Sequence, residues 1–382
     1  MRIAKLLILA GMVAAGSALA QTEQWLQYHT GTESLSYHQL EATTNPPAGV
    51  ALPKLIGPAY FIRWKTPLDP SGGRWLCLDR SRKAGPHDLI YIDSTGNGRL
   101  DDKTPLQARS ASGNDMEFPP ARMVFKGEDG PITYHLVFRA YDFQNNQVEL
   151  LASSACWYEG TVNFDGVKKH IKLVDGNVNG TFNDMAADPY ESDRVEIEGD
   201  KTAEHFLGKM LEVGGKLYRV EVARDGAFVK VQKAEDVTLG QVHVPENISE
   251  LSVFGENGHF TRQPVNGQVS LPVGHYQIFR WTINRKDDKG AAWTLSGYSF
   301  PRNGGFKVDA DKTPLLKIGE PFKAVLSAAE AADRQVTFSL QFKGSQDESI
   351  ELLRAGQRPQ GPKLTLTDSK EALVYNGAFE YG

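Results

Sequence analysis

The chain has 382 residues, with 42 basic and 47 acidic side chains and a formal net charge of −5 at pH 7. No basic block stands out, which argues against nucleic acid as a partner, and 37 glycines and 20 prolines without sustained helical periodicity argue against a helical protein. The length is enough for two or three domains, each able to bury a core.

Residues 1–20 read as a signal peptide: Arg2 and Lys5, an apolar run from Leu6 to Ala14, and Ala18-Leu19-Ala20 before Gln21. Cleavage there leaves 40 basic against 47 acidic side chains, a net charge of −7. No later run approaches the roughly 20 apolar residues of a transmembrane helix, and Gln21 stands where a lipid anchor needs a cysteine. Export to the periplasm or the extracellular space is expected, with no transmembrane segment. Residues 21–48 form an N-terminal arm in which Trp25, Leu26, Tyr28, Leu35, Tyr37 and Leu40 either make a short helix or pack as an arm, ended by Asn45-Pro46-Pro47.

Residues 49–236 carry an internal repeat. Leu89-Ile90-Tyr91-Ile92-Asp93 and the Asp-rich segment to Asp102 recur 82 positions later as Ile171 to Asp184. At that offset Trp75 pairs with Trp157, and with a slight drift Tyr134 falls opposite Tyr218. The fold class this predicts is mainly β: two tandem β-modules of about 82 residues with Asp-rich loops (49–154 and 155–236), followed by a β-sandwich domain (237–382). Tyr60 to Trp64 and Arg74 to Leu78 read as a hairpin across Pro67, Pro70 and Ser71-Gly72-Gly73. Met123 to Phe125 and Ile132 to Phe138 follow in the first module. In the second, Leu217 to Ala223 alternates with period two after Gly214-Gly215, and Ala227 to Val231 returns as the second strand of a hairpin.

Both loops place oxygen-bearing residues at alternate positions ahead of a glycine, the arrangement that gives a hard cation its six to eight oxygens at roughly 2.3–2.6 Å. The first offers Asp93, Thr95 and Asn97 before Gly98, then the Arg99 carbonyl, Asp101 and Asp102. The second offers Asp175, Asn177 and Asn179 before Gly180, then the Thr181 carbonyl, Asn183 and Asp184. Leu100 and Phe182 hold the apolar place that pins such a loop to a core. The pattern resembles the Asp-x-Asx-x-Asx-Gly loops of EF-hands, dockerins and thrombospondin type 3 repeats, which implies calcium as a structural ion. Thr104 and Ala186 stand at the twelfth place, where those loops carry a bidentate acid, and strands precede both loops, so the EF-hand fold itself is not implied. The low charge of each loop predicts weak binding, about 10⁻⁴ to 10⁻³ M. Asn-Gly is equally a hairpin-turn signal, with Asp or Asn bonded to the backbone.

In the last region, Gln268-Val269-Ser270-Leu271-Pro272-Val273-Gly274-His275-Tyr276 resembles the L-P-x-G-x-Y corner of carboxypeptidase regulatory-like and transthyretin-like sandwiches, a resemblance that implies a fold class and no activity. Trp293 to Tyr298, Phe306 to Val308, Leu315 to Ile318, Val336 to Phe342, Leu364 to Thr367 and Ala378 to Tyr381 read as strands. Ala324 to Arg334 reads as a short helix capped by Ser327.

Cys77 and Cys156 are the only cysteines. In an oxidising compartment they either bridge the two modules or remain as buried thiols. The nine histidines show no zinc-binding spacing, and neither a nucleophile elbow nor a phosphate-binding loop is present. No catalytic residue is assigned. Trp64, Trp75, Trp157, Trp281 and Trp293 lie in apparent strands and are expected in cores or on a binding face. The sequence therefore predicts an exported calcium-binding β protein with a carbohydrate or protein ligand, in a binding or structural role. The alternative is a secreted hydrolase of polysaccharide or peptide whose site assembles only in three dimensions.

Overall fold

The computed structural model describes residues 23–32, 37–112, 114–128, 130–143, 147–199, 205–300, 304–330 and 335–381. The signal peptide expected at 1–20 and Leu35 of the arm lie outside them. The chain is mainly β, built from antiparallel sheets. No helix among the described residues is long and apolar enough to cross a membrane.

The two expected modules have similar strand orders around their Asp loops. Tyr60–Lys65, Gly73–Asp79 and Leu89–Ile92 form a meander that enters the first Asp loop, and Leu106–Gln107 returns beside it. Cys156–Phe164 and Val167–Val174 form the matching hairpin before the second loop, and Arg194–Ile197 returns beside it. Each copy then adds a second meander: Ala121–Lys126, Pro131–Phe143 and Gln147–Ser154 in one, Met210–Val213, Lys216–Val222 and Phe228–Lys233 in the other.

The N-terminal arm forms strands rather than a helix, because it satisfies the open edges of these sheets. Gln24–Trp25 pairs with the strand Phe228–Lys233, and Gln27–Thr30 pairs with Cys156–Phe164. His38–Leu40 pairs with Gln147–Ser154, and Ala42–Thr43 with Tyr60–Lys65. Covering an edge removes a row of unpaired amides and carbonyls. One hydrophobic core runs through both copies, from Leu26 to Val229, and includes Trp64, Tyr134, Phe182 and Tyr218. A smaller cluster of Ala59, Phe61, Cys77 and Leu100 lies on the other face of the first sheet.

The C-terminal region has its own core around Trp281, between the pair Leu239–His243/Gln268–Pro272 and a larger sheet that contains Glu250–Gly255, Gly274–Lys286 and Ala292–Tyr298. The Pro-x-Gly corner separates two of these strands, and the buried Tyr276 hydroxyl donates to the Pro272 carbonyl at 2.8 Å. Three expectations are corrected here. Lys323–Glu330 is a strand, not a helix, paired along its length with Val336–Lys343; Ser327 meets Ser339 across the ladder at 2.6 Å instead of capping. A run of alanines offers a helix little apolar area to bury, so strand pairing overrides local propensity. Arg334 lies outside the described residues. Leu315–Ile318 makes only an isolated bridge from Leu315 to His243, and the last strand is Leu373–Ala378, before Phe379.

Candidate functional site

The two Asp loops close in the same way. Asp93, at the end of a strand, accepts the Gly96 and Asn97 amides on Oδ1 (2.7 and 3.0 Å) and the Gly98 amide on Oδ2 (3.0 Å). Asp175 accepts the Asn179 amide on Oδ1 (3.3 Å) and the Gly180 amide on Oδ2 (2.7 Å). Asn97 donates its side-chain amide to Asp102 at 2.8 Å, and Asn179 does so to Asp184 at 3.0 Å. The Asn97 side-chain oxygen accepts the Arg99 amide, and that of Asn179 accepts the Thr181 amide. Gly98 and Gly180 have φ of +72° and +95°, the left-handed region that the tight turn requires.

The remaining positions divide the loops. Thr95, Asp101 and Asn183 are exposed, and the Arg99 side chain pairs with Asp101 at 2.9 Å. Asn177 donates to the Glu191 carbonyl at 3.1 Å. The Thr181 hydroxyl lies 2.6 Å from both Asn179 Oδ1 and Asp184 Oδ2. These three side chains therefore meet at one point in the second loop.

The surroundings of the two first-position aspartates differ more sharply. Arg74 is buried beside Asp93 (4.0 Å), in ion-pair contact with Asp69 at 2.5 Å and stacked over Phe125. Its guanidinium supplies positive charge to the first loop. At the repeat offset the equivalent of Arg74 is Cys156, and Asp175 instead accepts the Tyr134 hydroxyl at 2.7 Å. Burial pushes the Asp175 carboxyl up to about 6, opposed by bonds from Tyr134 and from the Gly180, Val178 and Asn179 amides. Asp193, also buried, accepts the Gly176 and Asp184 amides at 3.0 and 2.7 Å. Its burial, followed by the charges of Asp175 and Asp184, holds its carboxyl well above the usual range. Among the described residues no group of three or more His, Cys, Asp or Glu forms a ready metal-ligand set. A loop of this type also draws on Asn, Thr and carbonyl oxygens; in the second loop the side-chain oxygens of Asn179, Thr181 and Asp184 come together, while the Asp175 oxygens accept the Tyr134 hydroxyl and the Asn179 and Gly180 amides.

The second loop is also longer. Ile90 pairs with Leu106, 16 residues on, whereas its equivalent Lys172 pairs with Glu196, 24 residues on. The added residues fold into a short 3-10 turn, Pro189–Glu191, with Asp188 accepting the Tyr190 amide at 3.0 Å. Ser192 Oγ accepts the Ala186 amide at 2.8 Å, and Gln277 of the C-terminal sheet donates to the Ala187 carbonyl at 3.2 Å. Between this turn and that sheet lies a cleft of about 420 Å³, lined among others by Asp188, Tyr190, Phe254, Phe279, Arg280 and Tyr298. The sequence reading missed this cleft; the signal was the extra length after Asp184.

Behind the cleft wall, Ser252 Oγ lies 2.6 Å from His259 Nε2. The His259 ring packs against Phe206 and Phe279, and both members of the pair are buried. This is a nucleophile-and-base spacing, but it sits beneath the aromatic rings and does not line the cleft. His87 is buried and bonded through Nδ1 to Asp142 at 2.9 Å.

The cysteines are corrected to two free, buried thiols. Side chains alternate along a strand, so Cys77, two residues after Trp75, shares its face, whereas Cys156, one before Trp157, takes the opposite one. Cys77 thus joins the outer cluster and Cys156 the main core. Of the strand tryptophans, Trp64 and Trp281 are fully buried. No family model, no curated protein and no solved structure matches this chain.

Proposed function

We propose that this chain is an exported binding protein of the bacterial envelope or extracellular space, with a calcium ion organising its second Asp loop. The observation that carries the reading is the meeting of Asn179, Thr181 and Asp184 in a loop whose first aspartate, Asp175, is buried without the arginine that serves Asp93. Asp175, Asn179, Thr181 and Asp184 would hold the ion, which would offset the crowding of negative charge at Asp175, Asp184 and Asp193. A bound ion stiffens what hangs from the loop, and here that is the Asp188–Glu191 turn. The first loop, with Arg74 beside it, is the weaker site.

Calorimetry with calcium on the intact chain tests this. The reading expects one site with Kd of about 10⁻⁴ to 10⁻³ M, lost in Asp184→Asn and retained in Asp102→Asn. Absence of heat from the parent chain, or its loss in Asp102→Asn alone, would overturn it.

A further inference from the structure

We propose that the cleft between the Asp188–Glu191 turn and the C-terminal sheet is a saccharide site, with Tyr190 and Tyr298 as its stacking platforms. The proposal rests on the binding reading above and does not require the calcium ion. Its first support is exposure: Tyr190 is 71 % exposed, Tyr298 44 % and Phe279 37 %. Single exposed tyrosines are ordinary, but several aromatic rings gathered on one concave surface mark a binding region.

The second support is rigidity. Tyr190 stands on a turn fixed by buried Pro189, by the Asp188 cap and by the Gln277 bond to Ala187. Phe279 is packed edge-on by Phe206 and Phe254, with ring centroids 5.3 and 6.1 Å away. Aromatic surface held this way loses little conformational freedom when a ligand arrives. Ser299, in the same lining, has φ of +55°, a left-handed conformation rarely taken by a residue other than glycine.

The third support is the chemistry of the polar groups. Asp188, Gln277, Arg280 and Ser299 supply carboxylate, amide, guanidinium and hydroxyl around the aromatic surface. A pyranose has a C–H-rich face that lies on an aromatic ring and a rim of hydroxyls that both donate and accept. Charges of both signs at the rim suit such a neutral ligand better than an anion or a cation. The volume of about 420 Å³ lies within the range of small-molecule sites.

The test is titration of the full chain with cellohexaose, chitohexaose and maltohexaose, alongside capture from a random peptide library. Tyr190→Ala and Tyr298→Ala are compared with the parent chain and with Tyr190→Trp, each checked for an unchanged thermal transition. The expected result is saturable binding of at least one oligosaccharide, with Kd raised about tenfold or more by either alanine and kept near the parent value by tryptophan. Sugar binding unaffected by both alanines would remove the cleft from the account and leave the binding reading standing. Peptide capture that is lost in Tyr190→Ala, with no sugar bound, would overturn the ligand class. Binding of neither would overturn both the site and the binding reading.

Discussion

The Tyr134 hydroxyl, on the strand Pro131–Phe143, donates to the Asp175 carboxylate of the second Asp loop at 2.7 Å. Both groups are buried, and Tyr134 stacks on Trp64, whose Nε1 donates to the Val178 carbonyl in the same loop at 2.7 Å. The second loop is therefore held from the first copy as well as by its own amides. Tyr134→Phe removes one hydrogen bond to a buried carboxylate while keeping the ring. Urea unfolding should show a loss of about 1.5–3 kcal/mol.

Arg74 is the electrostatic centre of the first loop. Replacing it by alanine leaves the Asp69 and Asp93 carboxylates buried without their common cation, and removing one partner of a buried pair costs about 3–5 kcal/mol. Equilibrium denaturation should find Arg74→Ala among the most damaging single changes in the first repeat. Asp101→Ala, at an exposed position, should change stability by no more than about 0.5 kcal/mol.

The strands flanking each loop and the hairpins after them were legible because period-two alternation and turn residues report strand and face directly. Three features were not. The arm and Lys323–Glu330 take strand form from pairing with distant segments, which local propensity does not encode. The eight-residue lengthening after Asp184 was masked because Tyr134 and Tyr218 bring the offset back to within two residues of 82. The different fates of Asp93 and Asp175 are written in the sequence as Arg74 against Cys156, but only the packing shows that Arg74 reaches Asp93.

Burial pushes the Cys77 thiol up to about 12, with Asp79 adding to the effect, and Cys156 up to about 11 against hydrogen bonds that favour its thiolate. Neither thiol should react with a disulfide reagent near neutral pH until the chain unfolds, and the reduced protein should show no mobility change on oxidation. The pH dependence follows from the sign of the shift. Unfolded thiols ionise from about pH 9, so their contribution to stability is complete below that value and declines as pH rises toward the folded values. Stability curves between pH 9 and 12 would show it.

Tyr276→Phe deletes the bond to the Pro272 carbonyl that fixes the corner between two strands of the C-terminal core. The cost should be about 1 kcal/mol, visible as a lower denaturation midpoint with an unchanged slope.

The proposed cation would organise the second Asp loop and, through it, the wall of the cleft. Hydrogen exchange of the full chain in calcium against chelator measures this segment by segment. Calcium is expected to slow exchange at Val178, Asn179 and Gly180 and through the turn to Asp193, with little change at Gly96, Asn97 and Gly98. Equal protection at both loops, or no protection at either, would contradict it.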